Sequence, residues 1–361
     1  MAPTDRLQAI AQARQNLLHE HSQQAASPLA PWLQRGWQRC QTWGMAPGEH
    51  VGFDAVSSAR MRQVTEENRP LVQAARPVLA ELVRAMGNIG YFAILTNAEG
   101  IVIDVQGPVD RTDQRADVIA RVGVDLSERA VGTTAISAAL SELQPVWLHR
   151  GEHFFDDNSV YSCAGAPVFG PDGRCAGMLD LTGVEVAERP ALKHLVRRSA
   201  RSIENSWLLA APHALTLRLN WPGNQPGDDS DGLLTLDQDG RIIGANPTAR
   251  QMLSLETGHS STHASDVFAM PWENLFDAAQ RNEGHCEVPL WSGLRLQTQA
   301  HRRSGGTASA SPRSSGKALR DVETELIRQA VMRARGNVAE AARALGIGRA
   351  TVYRKLGQPK A

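Results

Sequence analysis

The chain has few cysteines, and those present follow no recognisable pattern. Cys40, Cys163, Cys175 and Cys286 include no C-x-x-C pair, so we predict neither a disulfide framework nor a zinc site. Long apolar runs are absent as well, and no basic flank followed by an apolar stretch marks the N-terminus. These absences argue against a transmembrane helix and a secretory signal. We therefore expect a cytoplasmic protein with no membrane contact.

The chain also has no formal net charge, because 38 basic residues balance 38 acidic ones. The two signs are unevenly distributed, since residues 317–361 contain ten Lys or Arg and only four Asp or Glu. This end therefore carries a surplus of six positive charges, and the rest of the chain carries the matching negative charge. Such an asymmetry is typical of a nucleic-acid-binding end joined to a neutral or acidic body.

Catalytic patterns are missing too, because no Ser, His and Asp or Cys and His arrangement stands in a recognisable nucleophile context. One loop is rich in candidate metal ligands: His149, Glu152, His153, Asp156 and Asp157. Their spacing matches no established site, and a polar loop beside a sheet explains them more simply. Cys163 and Cys175 are a candidate redox pair, although a free cysteine is most often a small buried hydrophobe. We expect no enzymatic activity, no cofactor and no metal.

The clearest pattern lies near the C-terminal end, where residues 337–356 predict two short helices joined by a glycine turn. Small and apolar residues recur at the spacing that the inner side of such a helical hairpin requires. This predicted core consists of Ala342, Leu345, Gly346, Ile347, Val352 and Leu356. The outward face of the second helix carries cations and hydrogen-bonding groups: Arg349, Thr351, Tyr353, Arg354 and Lys355.

An outward face of this kind suits the major groove of double-stranded DNA. We predict that Arg349 and Arg354 contact base edges and that Lys355 contacts phosphate. The alternative is an ordinary surface helical hairpin with a solvated basic face. Because one such unit makes few phosphate contacts, useful affinity requires a dimer on two half-sites about one helical turn apart. Helices predicted at 321–335 and 190–209 are the candidate dimer contacts.

The middle of the chain predicts two α+β domains. Apolar runs flank turn residues at 91–105 and at 162–181, and a helix is predicted over 128–143. A third hairpin pattern at 233–245 is followed by Asn246-Pro247, a favourable helix start. The predicted fold class is therefore α+β multidomain with an all-α C-terminal unit.

Changes of composition predict the boundaries between these parts. In chain order they are an N-terminal helical segment (1–60), a first α+β domain (61–189), a connecting and dimer-forming helix (190–210), a linker (211–231), a second α+β domain (232–298), a flexible basic linker (299–317) and a helix-turn-helix (318–361).

Several segments together resemble the acetoin-catabolism activator family of bacterial regulators. These segments are residues 37–40, 123–128, 132–140, 152–155, 162–167, 178–183 and 203–205. They follow the order of the family and cover most of residues 30–210. The resemblance implies a GAF sensor domain over 61–189, a PAS-like domain over 232–298 and a Fis-type helix-turn-helix over 318–361.

The resemblance also implies that a small-molecule effector binds in the GAF pocket. The residues expected to wall this pocket are Trp147, His149, Phe154, Tyr161 and Cys163, each of which is also a reasonable core or loop residue. The family's G-T-N-A-I-G segment is Gly132-Thr-Thr-Ala-Ile-Ser137 in this sequence. We therefore expect a different effector, or none.

Full-length members of this family carry an AAA+ ATPase between the sensor and the DNA-binding domain. The Gly316-Lys317 pair has no glycine before it at P-loop spacing, so we expect no ATP hydrolysis. The implied protein is a homodimeric, effector-responsive transcriptional regulator, with RNA polymerase as a further candidate partner. One alternative is a modulator that associates with an ATPase-bearing, sigma-54-dependent activator, and another is a sensor enzyme with an accessory DNA-binding tail.

Overall fold

The computed structural model describes residues 3–19, 29–258, 262–281 and 284–303, and the single positions 338 and 342. The chain divides into two compact units, Met1–Arg303 and Ser304–Ala361. The first unit contains two antiparallel sheets of five strands each, which confirms the predicted α+β class. We call residues 3–210 the first domain and residues 211–303 the second domain.

In the second unit, Val338 and Ala342 are helical, and the Ala342 side chain is buried. The other predicted residues of the helix-turn-helix lie outside the described residues: Leu345, Gly346, Ile347, Val352 and Leu356 of the core, and Arg349, Thr351, Tyr353, Arg354 and Lys355 of the outward face.

The helices and strands of the first unit follow the chain in mixed order. The helices are α1 (Pro3–Arg14), α2 (Pro31–Thr42), α3 (Ser58–Glu67), α4 (Arg69–Met86), α5 (Gln114–Ile119), α6 (Glu128–Val131), α7 (Ala135–Glu142), α8 (Leu192–Ala210), α9 (Pro247–Leu253), α10 (Ala264–Val267) and α11 (Glu273–Gln280). The strands are β1 (Tyr91–Asn97), β2 (Val102–Gln106), β3 (Val146–His149), β4 (Tyr161–Phe169), β5 (Cys175–Val184), β6 (Leu215–Asn220), β7 (Gly232–Leu236), β8 (Ile242–Ala245), β9 (Cys286–Pro289) and β10 (Arg295–Arg302).

The first sheet has the strand order β2-β1-β5-β4-β3, and each of its faces carries its own hydrophobic core. Because side chains alternate along a strand, one face packs on α4 and α8. The other face packs on α1, α2, α5, α6 and α7. The predicted N-terminal helical segment is therefore part of the first domain, since Leu33, Trp37 and Cys40 are buried in the same core as the sheet.

The three predicted hairpins are confirmed, because β1–β2, β4–β5 and β7–β8 all pair antiparallel. The prediction of a single helix over 128–143 is wrong. Gly132 separates α6 from α7, and its φ of +66° favours glycine. Thr134 then starts α7 by accepting the Ser137 N–H in a capping box.

The linker predicted at 211–231 is also wrong, because β6 lies within it at the centre of the second sheet, whose order is β8-β7-β6-β10-β9. Leu215, Leu217 and Leu219 alternate with polar residues and are fully buried. The Pro, Gly and Asp content of residues 221–231 belongs to the β6–β7 loop alone. In the same way, β10 extends through Arg302, past the predicted domain end at 298.

The two domains meet where the β4–β5 turn contacts the second domain. The Pro171 carbonyl accepts the Ala245 N–H at 3.0 Å and an Arg250 guanidinium N–H at 2.9 Å. The Asp172 carbonyl accepts the Gly258 N–H at 3.1 Å. Strand β4 therefore connects the interior of the first domain directly to the second domain.

Candidate functional site

A small enclosed cavity lies in the first domain between the sheet, helices α6 and α7, and the loop before β4. Its apolar wall consists of Phe53, Ile119, Leu126, Val131, Ala135 and Ile136, and its polar wall consists of Thr134, His153, Asn158, Tyr161, Cys163 and Thr182. The volume open to the centre of a water molecule is about 10 Å³. That volume is close to what one water needs, so a larger guest requires the walls to separate.

The imidazole of His153 is fully buried at this cavity and has a defined proton arrangement. Its Nδ1 lies 2.9 Å from the Arg150 carbonyl, and because a carbonyl only accepts, Nδ1 must carry the proton. Burial lowers the pKa of His153 to about 4, which keeps the ring neutral at neutral pH. Nε2 is therefore an acceptor, and it has no hydrogen-bond partner among the described residues.

Asn158 also lines the cavity and has a second buried acceptor. Its Nδ2 donates to the Val131 carbonyl at 2.9 Å, which fixes the orientation of the amide. Its Oδ1 is buried and has no partner in the described part of the chain. The accessible surface of the cavity is wholly apolar. Since a buried acceptor without a donor is unfavourable, a guest that displaces the walls and reaches His153 or Asn158 gains by donating a hydrogen bond.

The floor of the cavity is a chain of polar side chains on β4 and β5. The Thr182 hydroxyl donates to Asp180, and it therefore accepts the Cys163 thiol, whose Sγ lies 3.5 Å from Oγ1. Burial raises the pKa of Asp180 to about 7 and holds the pKa of Cys163 well above its usual value. The floor thus carries a protonated thiol, which is a poor nucleophile.

This arrangement is suited to binding a neutral molecule. The described wall contains no Lys or Arg side chain to neutralise an anionic guest, and desolvation disfavours an unpaired charge in such a place. Nor do the described ranges contain a group of three or more His, Cys, Asp or Glu side chains placed to hold a metal ion.

Only part of the predicted effector pocket lies at this cavity. Tyr161 and Cys163 line it, and the Tyr161 hydroxyl donates to the Arg115 carbonyl at 2.9 Å. Trp147 and His149 lie on the opposite face of the sheet, where their rings stack with centroids 6.3 Å apart. Phe154 is fully buried beside the Phe155 ring and does not line the cavity.

The role of His153, Asn158 and Thr182 in this cavity was not predicted from the sequence, whereas Thr134 belongs to the Gly132–Ser137 segment that was expected to affect the pocket. A polar residue within an otherwise apolar strand or loop gave the only available signal, and that signal does not indicate which face it occupies. The side chains of the candidate metal loop bind different partners and do not meet at one point. His149 contacts Ser162, Asp156 pairs with Arg14, and Asp157 pairs with His50.

The candidate redox pair is also separated in space. Cys163 pairs with Thr182, whereas Cys175 pairs with Phe169, six residues further along β4. At about 3.3 Å per residue the two thiols lie far beyond bonding distance. Both are free cysteines.

Two protein-family models match this chain. Residues 318–358 match the model of the Fis family of bacterial regulatory proteins, which confirms the predicted Fis-type helix-turn-helix. Residues 3–205 match the model of the MimR N-terminal domain. None of the helices in the described ranges is both long and apolar enough to cross a membrane.

Several curated relatives are longer than this chain. The acetoin catabolism regulatory protein of Cupriavidus necator is 31% identical over 76% of this chain and 41% of its own length. The propane 2-monooxygenase operon transcriptional activator MimR of Mycolicibacterium goodii is 29% identical over 49% of this chain and 30% of its own length. The chain thus spans less than half the length of these relatives.

A solved structure, the Escherichia coli DhaR(N)–DhaL complex, overlaps 76% of this chain and all of the matched chain, with a TM-score of 0.47 and 14% identity. The family assignment depends on the sequence matches, of which the longest single model covers residues 3–205. By that match the chain belongs to the family defined by the MimR N-terminal domain, among relatives of the acetoin-catabolism regulators, and it carries a Fis-family unit at its C-terminal end.

Proposed function

We propose that this protein is a DNA-binding transcriptional regulator whose first domain is a GAF-type sensor for a small neutral effector. The observation that carries the proposal is the presence, in one chain, of a Fis-family unit at 318–358 and an enclosed cavity with two unpaired buried acceptors. The cavity supplies recognition, and the Fis-family unit supplies the contact with double-stranded DNA. The described wall has no Lys or Arg side chain and its Cys163 thiol is protonated, which favours sensing over catalysis.

The cavity favours a compact effector with at least one hydroxyl group. His153 Nε2 and Asn158 Oδ1 both require a donor, and the apolar wall suits a short hydrocarbon skeleton. Acetoin, named in the description of the Cupriavidus necator relative, has one hydroxyl and is a candidate. Because the cavity has room for little more than one water, effector binding must widen it, and that movement is the proposed signal.

Three compounds with one carbon skeleton test this proposal: the vicinal butanediol, acetoin and diacetyl. They offer two, one and no hydroxyl donors, so we expect affinity to fall in that order when binding to the full chain is measured by calorimetry. The matched variant Asn158→Leu removes one acceptor and should reduce the preference for the diol over diacetyl. Equal affinity for all three compounds would contradict a donor-selective cavity.

The DNA-binding part of the proposal uses the outward face predicted for the second helix of the Fis-family unit. We propose that a homodimer places two such helices on adjacent half-sites, with Arg349 and Arg354 at base edges. Helix α8 buries Val196, Ala200 and Ile203 within its own chain, so the more favourable dimer contact is the helix predicted at 321–335. We also propose RNA polymerase as a partner and the cytoplasm as the location of the protein.

We further propose that regulation proceeds without ATP hydrolysis by this chain. Strand β10 ends at Arg302 and the Fis-family match begins at residue 318. The short stretch between them cannot contain an ATPase domain, which requires its own core. The effector would therefore act by changing DNA occupancy or dimer geometry. A map of genomic binding sites with and without acetoin, combined with an ATPase assay, tests this part.

A second candidate function is that of a modulator that pairs with a longer, ATPase-bearing relative. The observation that favours it is that this chain matches only 41% of the Cupriavidus necator regulator. Co-purification with such a relative and no DNA binding by the isolated chain would support the modulator. Sequence-specific footprints made by the purified chain alone would support the regulator.

A further inference from the structure

The N-terminal helix α1 binds the loop that carries His153. Arg14, at the end of α1, donates from Nη1 to the carbonyl of Gly151 at 3.0 Å and from Nη2 to that of Phe154 at 3.0 Å. The same guanidinium donates to the His153 carbonyl and to the Asp156 carboxylate. Four acceptors on one loop thus bind a single guanidinium. Its planar fork of N–H donors makes this possible, and lysine has no such fork.

The guanidinium is itself held in place by helix α2. The Arg14 guanidinium carbon lies 5.5 Å from the centre of the Trp37 ring, a favourable cation–π arrangement. Trp37 also donates from Nε1 to the Glu152 carbonyl at 3.0 Å. Helices α1 and α2 therefore bind consecutive carbonyls of the loop from residue 151 to residue 154.

The loop lacks the continuous hydrogen-bond ladder of a strand. It consists of two short turns, Arg150–Glu152 and Asp156–Val160, with His153 between them. Two backbone bonds anchor it beside His153, from the Phe154 N–H to the Thr133 carbonyl and from the Asp156 N–H to the Pro47 carbonyl. The carbonyls of residues 151 to 154 are held by side chains of α1 and α2, and movement of the loop would displace the His153 ring from the cavity. The opposite wall is formed by β4 and β5, which are paired along their length and are therefore the more rigid side.

We propose that Arg14 is a positioning residue for the effector cavity: by fixing the carbonyls of residues 151, 153 and 154, it holds the turn in which His153 Nδ1 donates to the Arg150 carbonyl. It thereby maintains the orientation and tautomer of His153 that select hydrogen-bond-donating ligands. This inference rests on the proposed effector-binding function. It assigns the N-terminal helices a role in ligand selectivity as well as in packing. Arg14 contacts the loop backbone and not the ligand, so its effect passes through His153.

A ligand-free measurement tests the positioning directly. In protein with ¹⁵N-labelled histidine, the ring signals of His153 are identified by their loss in His153→Gln. In the wild type we expect Nδ1 to be protonated and the ring to titrate near its lowered pKa of about 4. Arg14→Ala should mix the two tautomers and move the titration toward the ordinary histidine value of about 6.5.

The charges that act on His153 make the direction of this change specific. Burial is the main cause of the lowered pKa, the hydrogen bond to the Arg150 carbonyl raises it, and the nearby His149 and Arg14 lower it further. Removing Arg14 exposes the loop and deletes a positive charge, and because burial is the largest cause, the pKa of His153 rises even where the Arg150 bond is lost. Arg14→Lys separates the two causes, because it keeps the charge but cannot serve all four acceptors. We expect this variant to mix the tautomers while changing the titration less.

Arg35→Ala is the matched control. Arg35 also links α2 to another part of the first domain, through an ion pair with Glu142 at the end of α7, and not to the loop that carries His153. We expect Arg35→Ala to retain the wild-type tautomer and titration. An unchanged His153 tautomer in both Arg14 variants would overturn the proposal. This result is independent of whether any effector binds.

A ligand measurement then tests selectivity. If Arg14 positions His153, Arg14→Lys should bind the vicinal butanediol about threefold to tenfold more weakly than the wild type, as expected for one weakened hydrogen bond. Its affinity for diacetyl, which donates no hydrogen bond, should change little. A parallel loss for both compounds would indicate a merely structural role and overturn the proposal. Failure of the wild type to prefer the diol would instead count against the proposed function, with the tautomer result still deciding the role of Arg14.

Discussion

Asp180 should make the stability of the first domain depend on pH. Its carboxyl group is fully buried on β5 and accepts a hydrogen bond from Thr182, while Oδ1 has no partner among the described residues. Burial raises the pKa of Asp180 from 3.8 to about 7. Between these two values the folded chain keeps a proton that the unfolded chain has lost. The free energy of unfolding should therefore fall as pH rises from about 4 to about 7, and the contribution should level off above that range.

The size of the change follows from the shift. Each pKa unit corresponds to about 1.4 kcal/mol, so raising the pH from 5 to 8 should cost the folded state about 3 kcal/mol through this group. Asp180→Asn is neutral at every pH and keeps an acceptor for the Thr182 hydroxyl. We therefore expect the stability of the variant, relative to the wild type, to increase by about 3 kcal/mol between pH 5 and pH 8.

Urea unfolding of the wild type and the variant at pH 5, 6, 7 and 8 measures this difference, with tryptophan fluorescence as the probe. Glu49→Gln, a substitution at an exposed acid, is the control and should show the wild-type dependence. Burial also raises the pKa of Glu204 to about 8, so this group too makes the free energy of unfolding depend on pH. Its contribution is the same in the wild type and in Asp180→Asn and therefore cancels when the two are compared. Parallel stability curves for wild type and Asp180→Asn would refute the reasoning.

Three further outcomes are expected. Arg250→Ala should lower the free energy of unfolding by about 2 kcal/mol and speed proteolysis at the domain junction, because the Pro171 carbonyl loses a charged donor. An unchanged urea midpoint would contradict this. Gly132→Ala should cost about 2 kcal/mol or more by calorimetry, since its φ is +66° and an added Cβ would lie 2.8 Å from an aromatic ring. Arg349→Ala should relax sequence preference and cost about 1–3 kcal/mol at the cognate site in a DNA-binding titration, whereas Lys355→Ala should weaken all sequences evenly. Equal effects of these two substitutions across sequences would contradict the assigned contacts.

Local patterns were sufficient for the parts of the fold that depend on neighbouring residues. The hairpins were predictable because each turn lies between two apolar runs that are close in sequence, as in β1–β2 and β7–β8. The start of α9 was predictable for the same reason, since Asn246 caps it by accepting the Ala249 N–H at 2.8 Å. The Fis-family match at 318–358 depends on a compact motif of the same local kind.

Composition was misleading where a strand adjoins a loop rich in turn formers. Residues 211–231 resemble a linker in composition, because Gly, Pro and Asp dominate their second half. The alternating leucines of β6 were too few to outweigh that signal, yet they occupy the centre of a sheet. Strand β6 pairs with β7 on one side and on the other with β10, about eighty residues later in the chain, and no local pattern contains that second pairing.

The fold class, the order of the hairpins and the type of the C-terminal motif could be predicted from the sequence, because these depend on residues a few positions apart. The composition of the candidate site depends on contacts between distant segments of the folded chain. Alternation along β3 and β4 places Tyr161 and Cys163 at the cavity and Trp147 on the opposite face. The loop that α1 and α2 hold in place brings His153 to the same cavity. Which buried polar atoms lack a partner depends on every neighbouring element at once, and that is a property of packing.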